Sequence, residues 1–298
     1  MRAVLFGAVQ FSGKCLERFL IGWPGLEVVG VVTKRESVFH SDFLNLEPIA
    51  RAAKIPVHFS MGRAAEENDL VSWLDALSPD VIFVLGWSHL LSARVVKTAA
   101  AGCIGYHPAM LPRNRGRHPL IWTLVLGLRE AGSTFFWLGS GVDNGDIINQ
   151  RAVAVTDDDD AASLYSKVEA QALEQLNEFI PALISGQRSG VPQEPTQANE
   201  WRKRVPGDGE IDWRMSARSI RNLVRALTKP YPGATVRIGL NRFPVWRAEF
   251  SSLGSDTDEP GKVLGHGADG EFVVKCGEGA LLVARHEISP APKKGDYL

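Results

Sequence analysis

The chain has little cysteine and no surplus of charge. Three cysteines stand among its 298 residues, at Cys15, Cys103 and Cys276, and no two form a Cys-x-x-Cys pair. That spacing argues against a zinc knuckle or a redox dithiol and reads as three buried thiols of a reducing cytosol. Lysine plus arginine number 33 and aspartate plus glutamate 34, a net charge of −1. No global basic field exists to hold a large polyanion, which leaves only a local patch for that purpose. No apolar run reaches the ~18 residues of a membrane span. The chain opens on Arg2-Ala-Val-Leu-Phe-Gly7, a strand pattern rather than a signal peptide. It lacks Gly-x-Gly-x-x-Gly and the Walker lysine spacing, which weakens any dinucleotide or nicotinamide reading. No internal repeat or low-complexity segment is evident.

What is there is an ordinary globular composition, 45% hydrophobic and 22% charged. The length suits one large or two ordinary domains. From the amino terminus, apolar runs alternate with helically spaced segments. Strands are expected over 1–6, 27–32, 57–59, 80–85, 103–107 and 133–138. Helices are expected over 11–20, 46–53, 70–77, 92–100 and 120–128. Such alternation predicts an α/β fold: a doubly wound, mostly parallel, Rossmann-like sheet. Strand ends near Gly7, Gly86 and His107 should meet at one sheet edge, where ligands of such sheets bind. Gly7 to Gly13 opens the first helix and offers an anion site at its N-terminus. Asp157 to Asp160 precede a long helix expected over 161–185 and read as N-capping and dipole complementation rather than as metal ligands.

The carboxyl-terminal third has a different texture. Gly190 to Asn199, with Pro192 and Pro195, reads as connecting chain. A helix is expected over 217–227. Short strands then follow over 235–238, 245–250, 261–264, 272–275 and 281–284, spacing that suggests a small β-barrel. The expected division is 1–190, a linker over 191–205, and 206–298.

The most informative stretch is His107-Pro-Ala-Met-Leu-Pro-Arg-Asn-Arg-Gly116, followed by Gly141-Val-Asp-Asn-Gly-Asp-Ile147. An imidazole at a strand end precedes a proline-braced loop carrying Arg113, Arg115 and Arg117, and Asp143 returns in a glycine-rich turn. Acyl transfer to an amine needs such a set: a base, a partner that orients it, and cations for an anionic substrate. Taken singly, each residue has a plainer reading. His107 would be a structural histidine, Asp143 and Asp146 routine turn residues, and the arginines a solvated loop. Trp87 reads equally as packing, and Tyr231 as a structural aromatic beside Pro230 and Pro232.

The two patterns together resemble the folate-dependent formyltransferases, over most of the chain. The resemblance implies a formyltransferase that carries a formyl group from 10-formyltetrahydrofolate, with no metal. It makes His107 the proton acceptor or oxyanion stabiliser and Asp143 its orienting partner. Leu85, Gly86, Trp87, Leu90, Leu138, Gly141 and Val142 are then expected around the folate. Arg113, Arg115, Gly116 and Tyr231 are expected around the acceptor. It also implies that the carboxyl-terminal part is an open, oligonucleotide-binding-like barrel, with a cytoplasmic location.

The pattern departs from that family at one position. An asparagine usually stands two residues before the histidine, and here it is Gly105. Loss of such an oxyanion donor costs ~10²–10³ in rate unless another group replaces it. Asn114 or a freed backbone amide is the expected substitute, and a weakened folate- or nucleotide-binding homologue is the alternative. Gly105→Asn is expected to be neutral or activating if the family's geometry is retained.

The resemblance is greatest to the sugar-nucleotide N-formyltransferases, whose segments match Glu210-Ile-Asp-Trp213 and Lys229-Pro-Tyr-Pro-Gly233. Thr33 to Asn45 is short and of mixed charge, unlike the basic insertion of the methionyl-tRNA enzymes. A small acceptor, a nucleotide-linked amino sugar used in polysaccharide biosynthesis, is therefore expected, with no nucleic acid and no membrane as partner. Methionyl-tRNA is the alternative acceptor, and a homodimer is left open.

Overall fold

The computed structural model of the chain describes residues 1–36 and 42–298. It divides into two compact units. The first takes Met1–Gly116, Gly132–Val153 and Val168–Glu200; the second takes Arg117–Ala131, Ala154–Lys167 and Trp201–Leu298. The short segment of mixed charge at 33–45, where no basic insertion is expected, lies partly in 37–41, outside the described residues.

The chain begins β1 (Arg2–Phe6), α1 (Gln10–Gly22), β2 (Glu27–Thr33), α2 (Glu47–Ala52), β3 (Val57–Phe59), α3 (Glu67–Leu77) and β4 (Val81–Val84). It continues with α4 (Ala93–Val96), β5 (Gly102–His107), β6 (Arg115–Gly116), α5 (Pro119–Val125), β7 (Glu130–Trp137) and β8 (Ile147–Ala154). Then come α6 (Ala161–Ile184), β9 (Glu200–Trp201), α7 (Ala217–Leu227), β10 (Ala234–Ile238) and β11 (Asn241–Ser251). The last three strands are β12 (Val263–His266), β13 (Phe272–Lys275) and β14 (Ala280–His286).

Among the described residues, seven strands form one sheet in the order β3-β2-β1-β4-β5-β7-β8. The first five run parallel. Parallel strands carry helices on their faces and are buried on both sides, so they read as continuous apolar runs. Ala3 to Phe6 and Val81 to Phe83 are accordingly all buried. Helix α1 turns Phe11, Cys15, Leu16 and Phe19 inward, the i, i+4 spacing of a core-facing stripe. The strand order reverses between β1 and β4, which marks the switch point of a doubly wound sheet. Strand β7 then pairs antiparallel to β5, with Gly105 opposite Phe136 and His107 opposite Thr134.

Several elements differ from expectation, among them the short strands β6 and β9 and the early start of β11. Helix α4 has four residues instead of nine: the Thr98 N–H bonds Val95 O, an i→i−3 closure that tightens and ends the turn. Strand β7 starts three residues before the expected Ser133. Strand β8 was not foreseen, because Ile147-Ile-Asn-Gln-Arg-Ala-Val-Ala154 is a half-exposed sheet edge with no clear alternation.

In the second unit, β10-β11-β14-β13-β12 form one antiparallel five-stranded sheet, at the places where short strands were expected. Ser216 caps α7 by accepting the Ser219 N–H at 3.1 Å. Ile220, Leu223, Val236, Val245, Phe272, Val274 and Leu281 are buried in this unit. Asp160 caps α6, its Oδ1 accepting the N–H groups of Ala162 and Ser163 at 2.9 Å each. Among the described residues, no cluster of three or more His, Cys, Asp or Glu side chains is placed to hold a metal ion.

Candidate active site

The carboxyl ends of β1, β4 and β5 lie side by side. Gly7 N–H bonds Val32 O, Leu85 N–H bonds Phe6 O, and Ala8 N–H bonds Gly86 O. The anion site expected at the start of α1 is partly used by the chain itself, because the Gln10 N–H donates to Asp42 O at 2.9 Å.

His107 ends β5 and is buried. Its Nε2 lies 2.7 Å from the carbonyl oxygen of Asn114. A carbonyl only accepts, so this bond places a proton on Nε2. The neutral ring then carries its lone pair on Nδ1, and Nδ1 faces Asp143 Oδ2 at 3.6 Å. That separation exceeds a hydrogen bond and falls within ion-pair range once Nδ1 takes a proton.

Backbone of unusual conformation builds this arrangement. Asn114 and Asp143 have φ of 65° and 48°, left-handed values that asparagine and aspartate tolerate better than most side chains. Gly116, two residues after Asn114, has φ 97°. Its N–H donates to Asp143 Oδ2 at 3.0 Å, which ties the proline-braced loop to the carboxylate turn. Strained residues of this kind cluster at functional sites when the surroundings over-determine them.

The surroundings do so here. Thr134 Oγ1–H bonds Ala109 O at 2.6 Å, and Gln150 Nε2 bonds Leu111 O at 2.9 Å. The segment expected as a plain connection contributes more. Buried Gln193 accepts from Arg115 Nε and Nη2 at 3.1 and 2.6 Å, and donates to Asp143 O and Gly145 O at 2.8 and 2.7 Å. Asn199 Oδ1 accepts the Asn114 N–H at 2.9 Å. No motif pointed to Gln193, Asn199 or Gln150. The weak signal was polar amide residues in a segment read as connecting chain.

The other expected residues take varied places. Asn114 reaches His107 through its main-chain oxygen, and among the described residues its side chain makes no hydrogen bond. Arg113 is exposed. Leu85 is fully buried and its carbonyl accepts Ser12 Oγ–H, whereas Leu90 is 80% exposed. Trp87 stands edge-on to Phe6 with ring centroids 5.7 Å apart. Its Nε1–H is buried without a partner among the described residues. Gly141 N–H closes the turn onto Asn144 Oδ1, and Val142 is exposed. Tyr231 and Arg117 belong to the second unit.

Gly105 sits two residues before His107, on the same face of β5. A β-carbon there would lie 2.6 Å from Leu138 Cδ2 and 2.9 Å from Phe136 Cζ. Apolar side chains thus fill the place that an amide would need.

Residues 1–180 match the family model described as formyl transferase, and 204–294 that of the formyl transferase C-terminal domain. The chain therefore belongs to the formyl transferase family. Three solved structures share its fold. HypX from Aquifex aeolicus, in complex with tetrahydrofolic acid, is 18% identical with a TM-score of 0.64, over 95% of this chain and 43% of that one. This chain thus spans less than half of HypX. The N-formyltransferase from Helicobacter canadensis, in complex with folinic acid and dTDP-3-aminofucose, is 16% identical with a TM-score of 0.68, over 96% and 99%. Methionyl-tRNA formyltransferase from Clostridium thermocellum is 18% identical with a TM-score of 0.60, over 84% and 94%.

Proposed function

We propose that this chain is an N-formyltransferase that moves a formyl group from 10-formyltetrahydrofolate to the amine of a small, nucleotide-linked amino sugar. The observation that carries the reading is the buried His107–Asp143 pair, Nδ1 to Oδ2 3.6 Å, at the carboxyl end of β5. The folate relatives and the full-length coverage of a sugar-nucleotide enzyme support the choice of co-substrate and acceptor.

The residues around the strand ends fit a flat heteroaromatic ring. Trp87 keeps an unpartnered Nε1–H, and Leu90, Leu138 and Val142 keep apolar surface outside the core. Leu85, Gly86 and Gly141 are assigned to this pocket through backbone. The co-substrate supplies an acyl carbon open to attack by an amine. His107 takes the proton released by that amine at Nδ1, because Nε2 is committed to Asn114 O. Asp143 then lies within ion-pair distance of the imidazolium, favours its charge and holds its orientation. The same Nδ1–H is available to return the proton to the departing nitrogen. Arg113, Arg115 and Gly116 of the loop are assigned to the phosphates of the acceptor. The assignment treats 1–190 as the catalytic, folate-binding part of a cytoplasmic enzyme and 206–298 as an appended oligonucleotide-binding-like domain.

The test is incubation of the pure protein with 10-formyltetrahydrofolate and a panel of dTDP- and UDP-linked amino sugars, with mass spectrometry of the sugar. One formylated sugar nucleotide is expected, with turnover removed in His107→Ala. Formylation of methionyl-tRNA and of none of the sugars would overturn the acceptor, and no formyl transfer to either would overturn the activity.

A further inference from the structure

Gln193 and Asn199 lie far along the chain from the residues they bond. Gln193 is 78 positions from Arg115 and 50 from Asp143, and Asn199 is 85 from Asn114. The bonds to Asn114 and Asp143 nevertheless end on the residues that meet the imidazole. Asn199 Oδ1 holds the Asn114 N–H, and the oxygen of Asn114 holds His107 Nε2. Gln193 Nε2 holds the main-chain oxygens on either side of the Asp143 turn, Asp143 O and Gly145 O.

The chemistry at Gln193 is specific to a carboxamide. Its oxygen accepts twice from the Arg115 guanidinium and its nitrogen donates twice to carbonyls, so all four valences of the group are used. Glutamate keeps the acceptor and loses both donors. Methionine keeps the length and loses everything. Asn199 is used only as an acceptor in its bond to Asn114, so aspartate preserves that contact. Among the described residues no other side chain bonds the Asn114 N–H.

We propose that Gln193 and Asn199 are positioning residues that together set the imidazole: Asn199 fixes the face presented to Nε2 and Gln193 fixes the carboxylate presented to Nδ1. The returning segment 191–199 is thus a strap that clamps the catalytic loop and the Asp143 turn against each other. The assignment to catalysis rests on the function proposed above, whereas the control of the ring does not.

The experiment therefore reads both. The full chain carries ¹⁵N-labelled histidine, and the His107 signals are assigned among its seven histidines with His107→Asn. In the wild type the Nε2–H tautomer is expected. Asn199→Ala should shift the Nε2 signal toward mixed tautomers, and Asn199→Asp should restore it. Gln193→Glu should move the Nδ1 signal, and Gln193→Met should do the same if Gln193→Glu folds poorly. Formyl-transfer kinetics of Asn199→Ala should show kcat lowered by about tenfold to a hundredfold with KM within about twofold, the pattern of misplaced catalytic groups. Exposed Gln187→Glu should change neither readout. Unchanged His107 ring signals in folded Asn199→Ala and in a folded Gln193 variant would overturn the proposal. Shifted ring signals in a protein that transfers no formyl group would keep the strap and remove only the proposed function.

Discussion

Leu138 and Gly105 occupy one volume. The Leu138 Cδ2 methyl lies 2.6 Å from where a β-carbon of residue 105 would stand, with the Phe136 ring behind it at 2.9 Å. The condition under which asparagine at 105 would be neutral or activating is therefore not met, because Phe136 of β7 and Leu138 just beyond it fill the space beside the glycine. Gly105→Asn should overpack the sheet by ~1–3 kcal/mol and lower formyl transfer. The double variant Gly105→Asn, Leu138→Ala should regain part of both. Chemical denaturation checks the coupling, and additive single effects would refute it.

His107 and Asp143 should each be essential to turnover. His107→Ala and Asp143→Ala are expected to lower kcat by ~10²–10⁴, the range of a lost general base or its partner. The fold should persist, as circular dichroism would show. Near-normal turnover in either variant would refute the proposed roles.

Asn114 divides by atom. Its carbonyl, not its side chain, meets His107. Asn114→Gly preserves that oxygen and the positive φ, so kcat should stay within about tenfold of wild type. A collapse of kcat without weaker folate binding would instead show that the side-chain amide holds developing charge, the role expected from the sequence.

Thiol chemistry should report the fold. Cys15, Cys103 and Cys276 are all buried and unpaired. Burial pushes the Cys103 and Cys276 thiols up to about 12, and burial with the nearby Glu169 raises that of Cys15. A disulfide reagent should find no thiol in the native protein at neutral pH and three after unfolding. Rapid native reaction at any one would contradict its placement.

Asp159 carries a pH-dependent share of stability in the second unit. Burial alone would raise its pKa, but bonds from Lys167, the Thr156 N–H, Ser163 and the Thr156 hydroxyl lower it to about 2. A depressed folded value means that the carboxylate stabilises fully above its unfolded value of ~3.9 and that this is lost as pH falls toward 2. Asp159→Asn should cost on the order of 2 kcal/mol at pH 6 and little near pH 2. An equal cost at both would refute the linkage.

The sequence by itself determined the elements whose signal is local. Apolar runs at β1, β2, β4 and β5 are buried on both faces and so show no alternation, and α1, α3 and α7 carry helical periodicity within a single segment. The His107 and Asp143 patterns were legible through their resemblance to a known family, since each residue taken singly had a plainer structural reading. Strand β8 was not legible, since an edge strand half in solvent has neither a continuous nor an alternating pattern.

Tertiary structure alone decided the rest. Which nitrogen of His107 holds the proton depends on a carbonyl seven residues away, turned inward by a left-handed Asn114. Which residues hold Asn114 and Asp143 depends on amides 85 and 50 positions distant. Whether residue 105 has room for a side chain depends on Phe136 and Leu138 of the antiparallel neighbour and its continuation. Local sequence encodes propensity and periodicity, whereas hydrogen-bond partners and free volume arise only when segments remote along the chain are packed to near-crystalline density.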